Sequence, residues 1–393
     1  MLKSIPLYRT TFYLLLSTYS FLLCTSSTNA QDLAFGRSMV DTLASPAFHG
    51  RGYLNDGMKL AADYLGGKFS EYGLKPLKGK SFFQDYTYSV NTFPVTPELH
   101  VDGKLLVPGR DFIVSPESRS VKGSGVLTKL DSVQFVNKEH QFILTLADKL
   151  TWSVEQQQAD YSGVMVSRKA IEKDPFLFDI NIEAKVISKF KARNICAFVE
   201  GTQHPDSFLV ISAHYDHLGE MGNVLFPGAN DNASGVSLLM NLAHYYATHP
   251  QKYSIAFILF SGEEAGLLGS KYFTEHPLID LKKIRFLINT DLAGTGVEGI
   301  TVVNASEFPA EFALMQKINT DNNLLAAVNS RGKAANSDHY FFTEKGVPSF
   351  FFYTLGGIKA YHDIDDKAST LPLNEHEDLF KLVTLFFAAL SSN

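Results

Sequence analysis

Cysteine is scarce in this sequence, which contains two cysteines among 393 residues. Cys24 lies in an N-terminal segment that we expect to be removed, which leaves Cys196 alone. A mature chain with one cysteine has no intramolecular disulfide, so its stability must come mainly from burial of apolar side chains. The hydrophobic fraction of 45% is typical of a globular protein with a substantial core and gives no indication of disorder.

The apolar run at residues 12–23 is too short for a membrane span, because about 20 residues are needed to cross a bilayer as a helix. Lys3 and Arg9 precede the run, and the small residue Ala30 follows it. This order is typical of a secretory signal peptide. We therefore expect residues 1–30 to be cleaved and the mature protein to be exported, either to the periplasm or outside the cell, with no membrane span.

Two alternatives exist for this N-terminal segment. A retained membrane anchor would require a longer apolar run. A lipoprotein signal centred on Cys24 would require a small residue where Leu23 stands. Removal as a signal peptide agrees better with the residues present.

Runs of basic residues are absent as well. Without Lys3 and Arg9 the chain has 33 basic and 41 acidic residues, a formal charge of −8. Nucleic-acid binding is therefore not expected. The excess of carboxylates is compatible with cation binding, although many soluble proteins share it.

The spacing of apolar residues differs between regions of the chain. Residues 56–72 have apolar side chains at helical spacing and predict an amphipathic helix. The region that follows lacks strong helical patterns, and its best strand, residues 178–186, alternates apolar and polar side chains. We predict four segments, listed in chain order: the signal peptide (1–30), the N-terminal part of the main domain (31–84), a β-rich insertion (85–188) and the core (189–393).

Short apolar runs alternate with helical patterns in the core, and the runs fall at residues 195–199, 208–212, 255–260, 284–288 and 347–353. Helical patterns follow at about residues 236–246 and after Gly266. This order predicts an α/β fold in which helices sandwich a mixed, mostly parallel sheet. Ligands of such sheets bind beyond the carboxyl ends of the strands, where the histidine-rich and acidic segments of this chain lie.

His214 and Asp216 follow the predicted strand at residues 208–212. A histidine there can ligate a metal ion, and a carboxylate two positions away can fix its tautomer through the other ring nitrogen. By itself this pair is a weak signal, because a structural histidine explains it as well.

Asp231 lies in a small-residue turn at residues 228–235 that leads into a predicted helix. Small residues let the backbone approach a bound ion, and Asp231 would project from the turn. Helix capping is the alternative, and the turn taken alone favours it, since Asp and Asn are preferred N-cap residues.

Glu263 and Glu264 follow the apolar run at residues 255–260. Two adjacent carboxylates at a strand end can point in different directions, so that one ligates a metal ion while its neighbour transfers protons. Asp291 and His362 also follow predicted strands. Each of these residues alone can be explained as an ordinary polar residue of a loop. Together they predict a cluster of histidines and carboxylates at one edge of one sheet.

Six segments resemble, in order and spacing, a family of two-zinc exopeptidases that includes bacterial leucyl-type aminopeptidases, glutamate carboxypeptidase and glutaminyl cyclase. The segments are HYDH at 214–217, GANDNASG at 228–235, SGEEAG at 261–266, NTDLAG at 289–294, SDH at 337–339 and YHDIDD at 361–366. The resemblance extends from about residue 194 to the C-terminus. The insertion resembles a protease-associated domain only in position and texture.

The resemblance implies two zinc ions per chain, and the positions that match the family's zinc ligands are His214, Asp231, Glu264, Asp291 and His362. Asp231 matches the carboxylate that bridges the ions. Asp216 matches the carboxylate that orients His214, and Glu263 matches the general base. Two zinc ions carry four positive charges, which Asp231, Glu264, Asp291 and one hydroxide would balance.

Other residues of these segments match the family outside its set of zinc ligands. Tyr361 corresponds to an oxyanion donor of some relatives, although aromatic packing explains a tyrosine there equally well. Asp338 and His339 match a motif near the substrate pocket and would act around the ligands or on the substrate. We expect His217 and His244 to serve packing only.

The activity implied is hydrolysis of peptide bonds, with release of residues from a peptide N-terminus. A carboxypeptidase and a one-zinc glutaminyl cyclase are alternatives of the same fold. A binding protein without catalysis would be expected to have lost ligands or the base, and none is substituted here. The sequence leaves open the preferred side chain, the role of the insertion and the oligomeric state.

Overall fold

The computed structural model describes residues 33–392, so the predicted signal peptide at residues 1–30 lies outside the described residues. Seven α-helices form in this part of the chain: α1 (Leu33–Leu43), α2 (Gly57–Glu71), α3 (Gly235–Thr248), α4 (Leu268–Glu275), α5 (Pro309–Asn322), α6 (His339–Glu344) and α7 (His376–Leu390). Among the described residues no helix has both the length and the apolar character that crossing a membrane requires.

Twenty strands form in the same residues: β1 (Lys75–Pro76), β2 (Phe83–Thr92), β3 (Glu98–Val101), β4 (Lys104–Leu106), β5 (Phe112–Val114), β6 (Val121–Val126), β7 (Thr128–Lys129), β8 (Gln134–Asn137), β9 (Phe142–Ala147), β10 (Ser162–Ser167), β11 (Leu177–Ile182), β12 (Lys185–Val199), β13 (His204–His214), β14 (Gly219–Met221), β15 (Val224–Phe226), β16 (Tyr253–Phe260), β17 (Ile284–Thr290), β18 (Ile300–Val303), β19 (Val328–Ser330) and β20 (Ser349–Thr354).

The main sheet has nine strands in the order β1-β12-β16-β13-β17-β20-β18-β19, with β2 also paired to β12. Its four central strands, β16, β13, β17 and β20, run parallel to one another. β12 and β18 join them in antiparallel pairing. Because parallel strands end at the same edge, the chain leaves all four central strands on one side of the molecule. The predicted α/β fold with a mixed, mostly parallel sheet is confirmed.

The central strands are apolar at nearly every position because helices cover both faces of the sheet. In β13, Leu209 and Ile211 face a core that includes side chains of α1, α2, α3 and α7. The alternate residues Phe208 and Val210 face a second core that contains Phe273 of α4 and side chains of α6. The helix predicted at residues 56–72 is present as α2, and the one predicted at residues 236–246 is present as α3.

Two small sheets lie between β2 and β12 along the chain, with the strand orders β5-β10-β9-β8-β7 and β4-β3-β11-β6. They share a core of their own, which Leu218, Met221 and Phe226 of the main part help to close. The predicted strand at residues 178–186 is divided: β11 ends at Ile182, and β12 begins at Lys185. The alternating pattern continues across this break, so the sequence does not reveal the change of sheet. The four-segment division of the chain stays a prediction.

Candidate metal centre

All five predicted metal ligands meet at the carboxyl edge of the main sheet. His214 is the last residue of β13, and Asp291 directly follows β17. Glu264 lies in the loop after β16, and His362 lies in the loop after β20. Asp231 lies in a short helical turn, Ala229–Ser234, that precedes α3. Strand order alone therefore brings together residues that are far apart in the sequence.

Asp231 stands between the two histidines. Its Oδ1 is 3.3 Å from His214 Nε2, and its Oδ2 is 3.0 Å from His362 Nε2. His214 Nε2 is also 3.3 Å from Asp291 Oδ1, and His362 Nε2 is 3.2 Å from Glu264 Oε2. The side chains thus form two groups of three, and each group uses a different oxygen of Asp231.

The chemistry of this cluster fits cations. His214, Asp231 and Asp291 are buried, and Asp291 Oδ1 accepts no hydrogen bond from any described residue. Within residues 33–392 no lysine or arginine forms an ion pair with Asp231, Glu264 or Asp291. Buried carboxylates are costly unless cations balance them. Imidazole nitrogens and carboxylate oxygens are ligands that zinc accepts.

The pKa values show how strongly these groups interact. Burial disfavours the charged form of His362, but Glu264 and Asp231 outweigh burial and raise the pKa of His362 to about 11. Burial likewise disfavours the Glu264 carboxylate, but His362 and His217 lower its pKa to about 2. Because a metal ion binds neutral imidazole, metal binding must compete with protons at these histidines.

The ring nitrogens that face away from the cluster are fixed by backbone oxygens. His214 Nδ1 lies 3.2 Å from the carbonyl oxygen of Asp216 and 3.7 Å from Asp216 Oδ1. The Asp216 carboxylate also accepts hydrogen bonds from the backbone N–H groups of Glu263 and Glu264, at 3.3 and 3.4 Å. Asp216 therefore connects the His214 loop with the Glu263–Glu264 loop. Its predicted role as the orienting carboxylate stays a prediction.

The side chains of Asp231 and Asn232, which are neighbours in the turn before α3, have different contacts. Asn232 Oδ1 accepts a hydrogen bond of 3.0 Å from the backbone N–H of Gly235, at the start of α3. The Asp231 side chain makes no such cap and faces the two histidines instead. Asn232 thus contacts the first residue of α3, and the role of Asp231 as a metal ligand stays a prediction.

Glu263 and Tyr361 line a cavity of about 440 Å³ that opens beside the cluster. Burial raises the pKa of Glu263 well above its usual value, and the neighbouring carboxylates of Glu264 and Asp291 raise it further. The Tyr361 ring stacks on the His362 ring, with 4.0 Å between the centroids, and 43% of the residue is exposed. The catalytic roles predicted for these residues stay predictions.

His217 is a site residue that the sequence analysis assigned to packing. It is fully buried, and its Nδ1 lies 2.7 Å from Glu264 Oε1. His217 can therefore donate a hydrogen bond to the one Glu264 oxygen that does not face His362. Its position three residues after His214, the last residue of β13, was the available signal. His244 does pack as expected, with its ring 5.0 Å from the ring of Tyr72.

Arg51 and Asp366 hold the backbone of Asp231 from two distant parts of the chain. The buried Arg51 guanidinium donates to the carbonyl oxygens of Gly228 and Asp231, at 2.7 and 3.1 Å. The Asp366 carboxylate accepts from the backbone N–H groups of Asn230 and Asp231, at 2.8 and 3.0 Å. The sequence analysis assigned no role to either residue. A side chain that bonds to backbone atoms does not require a particular residue type in its partner, so the sequence shows no sign of the contact.

The insertion reaches the cluster through Trp152. His362 Nδ1 is 2.9 Å from the carbonyl oxygen of Trp152, and the backbone N–H of Trp152 donates to the carbonyl oxygen of His362 at 2.9 Å. The first contact places the proton on Nδ1 and directs Nε2 toward Asp231 and Glu264. The β-rich region between β2 and β12 thus fixes the tautomer of a candidate ligand.

Ser337, Asp338 and His339 lie behind the cluster and are fully buried. Asn289 Nδ2 donates to Ser337 Oγ at 2.8 Å, and Ser337 Oγ donates to Asp291 Oδ2 at 3.3 Å. Burial raises the pKa of Asp338 to about 7 and lowers that of His339 to about 4. Their predicted roles around the ligands or on the substrate stay predictions.

Fold and site together define the class: an α/β protein with a candidate metal centre at the carboxyl edge of its sheet. Residues 194–386, just under half of the chain, match peptidase family M28. The predicted relationship to the two-zinc exopeptidases is thereby confirmed.

Two curated relatives and one solved structure illustrate the similarity. Aminopeptidase YwaD of Bacillus subtilis (strain 168) is 28% identical over 179 residues, which cover 44% of this chain and 38% of that protein. A probable zinc metalloprotease of Pyricularia oryzae is 34% identical over 125 residues, 30% of this chain and 24% of that protein. The chain therefore spans well under half the length of either relative.

The structure of BSAP, a zinc aminopeptidase from Bacillus subtilis, superimposes with a TM-score of 0.67 at 17% identity. The superposition covers 91% of this chain and 94% of that chain. At this identity the similarity establishes the fold.

Proposed function

We propose that this chain is an exported aminopeptidase that uses two zinc ions to hydrolyse the first peptide bond of a peptide. The observation that carries the proposal is the position of Asp231, whose two oxygens face His214 and His362 separately, at 3.3 and 3.0 Å. A carboxylate placed in this way is suited to bridge two ions. The match to peptidase family M28 and the similarity to an aminopeptidase support peptide hydrolysis.

In the proposed centre, His214 and Asp291 would hold one zinc ion, Glu264 and His362 would hold the other, and Asp231 would contribute to both. Bound zinc ions lower the pKa of water and polarise the scissile carbonyl. Trp152 and Asp216 set the histidine tautomers through their carbonyl oxygens, so that each Nε2 is available as a ligand.

Glu263 is the proposed general base. It lines the cavity beside the ligands, and burial raises its pKa well above the usual value of a glutamate. A raised pKa is typical of a carboxyl group that both accepts and donates protons during catalysis. Glu263 would accept a proton from the attacking water and deliver it to the leaving amine. Tyr361, stacked on His362 at the cavity wall, is placed to donate its phenol proton to the oxyanion.

Export and domain organisation belong to the same proposal. The residue pattern at positions 1–30 supports a cleaved signal peptide and a periplasmic or secreted enzyme. The separate core of the β-rich region supports an insertion at about residues 85–188 within a main domain formed by residues 31–84 and 189–393.

The first test measures release of amino acids from aminoacyl-nitroanilides and short peptides by the purified protein, with zinc determined by elemental analysis. We expect about two zinc ions per chain and release from the N-terminus. Glu263→Gln should lower kcat by at least about a hundredfold while zinc content is unchanged, because the base is lost and the ligands remain. Glu275→Gln, at the exposed end of α4, is the matched control and should behave as wild type.

Other results of this test would identify the alternatives. One zinc ion per chain with formation of pyroglutamate would identify a glutaminyl cyclase. Release from the C-terminus would identify a carboxypeptidase. Full zinc occupancy without turnover of any peptide would indicate a binding protein and contradict the proposal.

A further inference from the structure

Arg331 places a cation in the wall of the cavity beside the candidate metal centre. Asp231, Glu264 and Asp291 line one part of this cavity, and Arg331 lines another. Among the lining residues in the described part of the chain, Arg331 is the only lysine or arginine. A volume of about 440 Å³ corresponds to roughly 15 water molecules and is large enough for one or two amino-acid residues.

Contacts with two strands hold Arg331 in position. Its backbone N–H donates to the carbonyl oxygen of Val302 in β18 at 2.9 Å, and the Ala305 N–H donates to its carbonyl oxygen at 3.1 Å. Its guanidinium Nη1 donates to the Tyr353 hydroxyl of β20 at 3.1 Å. The guanidinium is therefore oriented by the sheet although the residue is exposed.

This guanidinium has no carboxylate partner within residues 33–392 at the ion-pair distance of 4.0 Å. Lys333, two positions further along the chain, does pair with Glu344. The cavity wall near Arg331 also contains Phe351 and Leu292, which carry no charge. Arg331 can thus form a charge-assisted hydrogen bond with a bound molecule without losing an existing ion pair.

The charge of the cavity depends on the proposed zinc ions, and so this inference rests on the proposed function. Two ions would balance the carboxylates of the centre. Arg331 would then be the uncompensated positive charge in the cavity wall, and Glu263 the remaining carboxylate. A guanidinium binds a carboxylate through two parallel hydrogen bonds, and it binds neutral amides less strongly.

We propose that Arg331 determines specificity and selects substrates that carry a carboxylate near the scissile bond. Two substrate groups supply this chemistry: the acidic side chain of a terminal residue, and the free C-terminal carboxylate of a short peptide. Both place an anion one or two residues from the reacting carbonyl, within the dimensions of the cavity.

Two pairs of substrates distinguish these sources, and each pair differs only by carboxylate and amide. Aspartyl- and asparaginyl-4-nitroanilide test the side chain, and leucyl-glycine and leucyl-glycinamide test the C-terminal carboxylate. We expect kcat/KM to favour the carboxylate member of one pair by about tenfold or more, the size of one charge-assisted hydrogen bond. Arg331→Met should bring that ratio close to one.

Lys333→Met is the matched control, since Lys333 lies nearby but is paired with Glu344 outside the cavity lining. It should keep the wild-type ratio. Equal kcat/KM within both pairs for the wild type would overturn the inference, as would a ratio that persists in Arg331→Met.

A binding measurement separates failure of this inference from failure of the proposed function. Titration of Glu263→Gln protein with leucyl-glycine, leucyl-glycinamide, aspartate amide and asparagine amide reports the preference without turnover. The role of Arg331 is supported if the carboxylate member of a pair binds with a lower Kd than its amide and this difference disappears in Glu263→Gln/Arg331→Met. This result holds even if no substrate is hydrolysed. Equal binding within both pairs contradicts it.

Discussion

At the scale of single residues, the candidate centre depends on side chains that contact the proposed ligands. Glu264 is the clearest case, since its two oxygens have different neighbours. Oε2 faces His362 at 3.2 Å, and Oε1 lies 2.7 Å from His217 Nδ1. The hydrogen bond from His217 fixes the rotation of the carboxylate and leaves Oε2 for a metal ion.

We predict that His217→Leu weakens binding of the zinc ion held by Glu264 and His362. The substitution removes the only donor to Glu264 Oε1 among the described residues, so the carboxylate loses its orientation. Loss of a hydrogen bond to a ligand typically costs about ten- to a hundredfold in metal affinity. Competition with a chelating dye measures the two zinc dissociation constants separately.

His217→Asn is the matched control, because its amide can place a donor near the position of Nδ1. It should recover most of the zinc affinity that His217→Leu loses. If His217→Leu binds both zinc ions as tightly as the wild type, the hydrogen bond to Glu264 has no positioning role.

At the scale of secondary-structure elements, His376 joins three helices. It is the first residue of α7, and its Nε2 lies 3.3 Å from Asn241 Nδ2 of α3. A Cβ added at Gly36 of α1 would lie 2.8 Å from the same nitrogen, so α1 can approach α7 this closely only with glycine there. Burial, together with the positive charge of Arg37, lowers the pKa of His376 to about 4.

This pKa shift predicts acid-sensitive packing of the helices. The unfolded chain binds a proton at His376 near pH 6.5, whereas the folded chain does not until about pH 4. Stability is therefore present above pH 6.5 and is lost as the pH falls from 6.5 toward 4. Between pH 7 and pH 5, we expect His376 to account for about 2 kcal/mol of the loss in unfolding free energy.

Urea unfolding of wild type and His376→Gln at pH 7 and pH 5 tests this expectation. The variant should lose less stability than the wild type on acidification, because glutamine does not titrate. His204→Gln, which changes an exposed histidine, should show the wild-type pH dependence. An equal loss in wild type and His376→Gln would contradict the assignment.

At the scale of the whole molecule, the β-rich region and the main sheet have separate cores but meet at the candidate centre. The carbonyl oxygen of Trp152 accepts a hydrogen bond from His362 Nδ1, and the backbone N–H of Trp152 donates to the carbonyl oxygen of His362. Gln156 Nε2 donates to the carbonyl oxygen of Ala265 at 2.9 Å, next to the Glu263–Glu264 loop. The insertion therefore supports two of the loops that carry the proposed ligands.

We predict that Trp152→Ala lowers both stability and zinc content. The Trp152 ring stacks on Phe226 with 4.5 Å between centroids, and its Nε1 donates to the carbonyl oxygen of Val114 at 2.9 Å. Removing a buried tryptophan ring typically costs about 3 to 5 kcal/mol. Denaturant unfolding and zinc analysis on the same samples measure the two effects.

Trp152→Phe is the comparison, since phenylalanine keeps a ring against Phe226. It should retain more zinc at the His362 position than Trp152→Ala does. Unchanged zinc affinity in a folded but destabilised Trp152→Ala protein would show that packing of the Trp152 ring does not position His362.

The sequence determined the central sheet and the order of the proposed ligands along it. Strands such as β16 and β13 are buried on both faces, so they appear as continuous apolar runs that need no structural knowledge to locate. Parallel strands end at one edge, and this geometry alone predicted that His214, Asp291 and Glu264 would meet.

Tertiary structure decided which residues support these ligands. The supporting residues form hydrogen bonds with side-chain or backbone atoms of residues distant in the chain, and they are His217, Arg51, Asp366 and Trp152. Such contacts impose no periodicity and no required residue type on the partner that they touch. Hydrophobic burial leaves a repeating pattern in the sequence, whereas a hydrogen bond between distant segments exists only once the chain has folded.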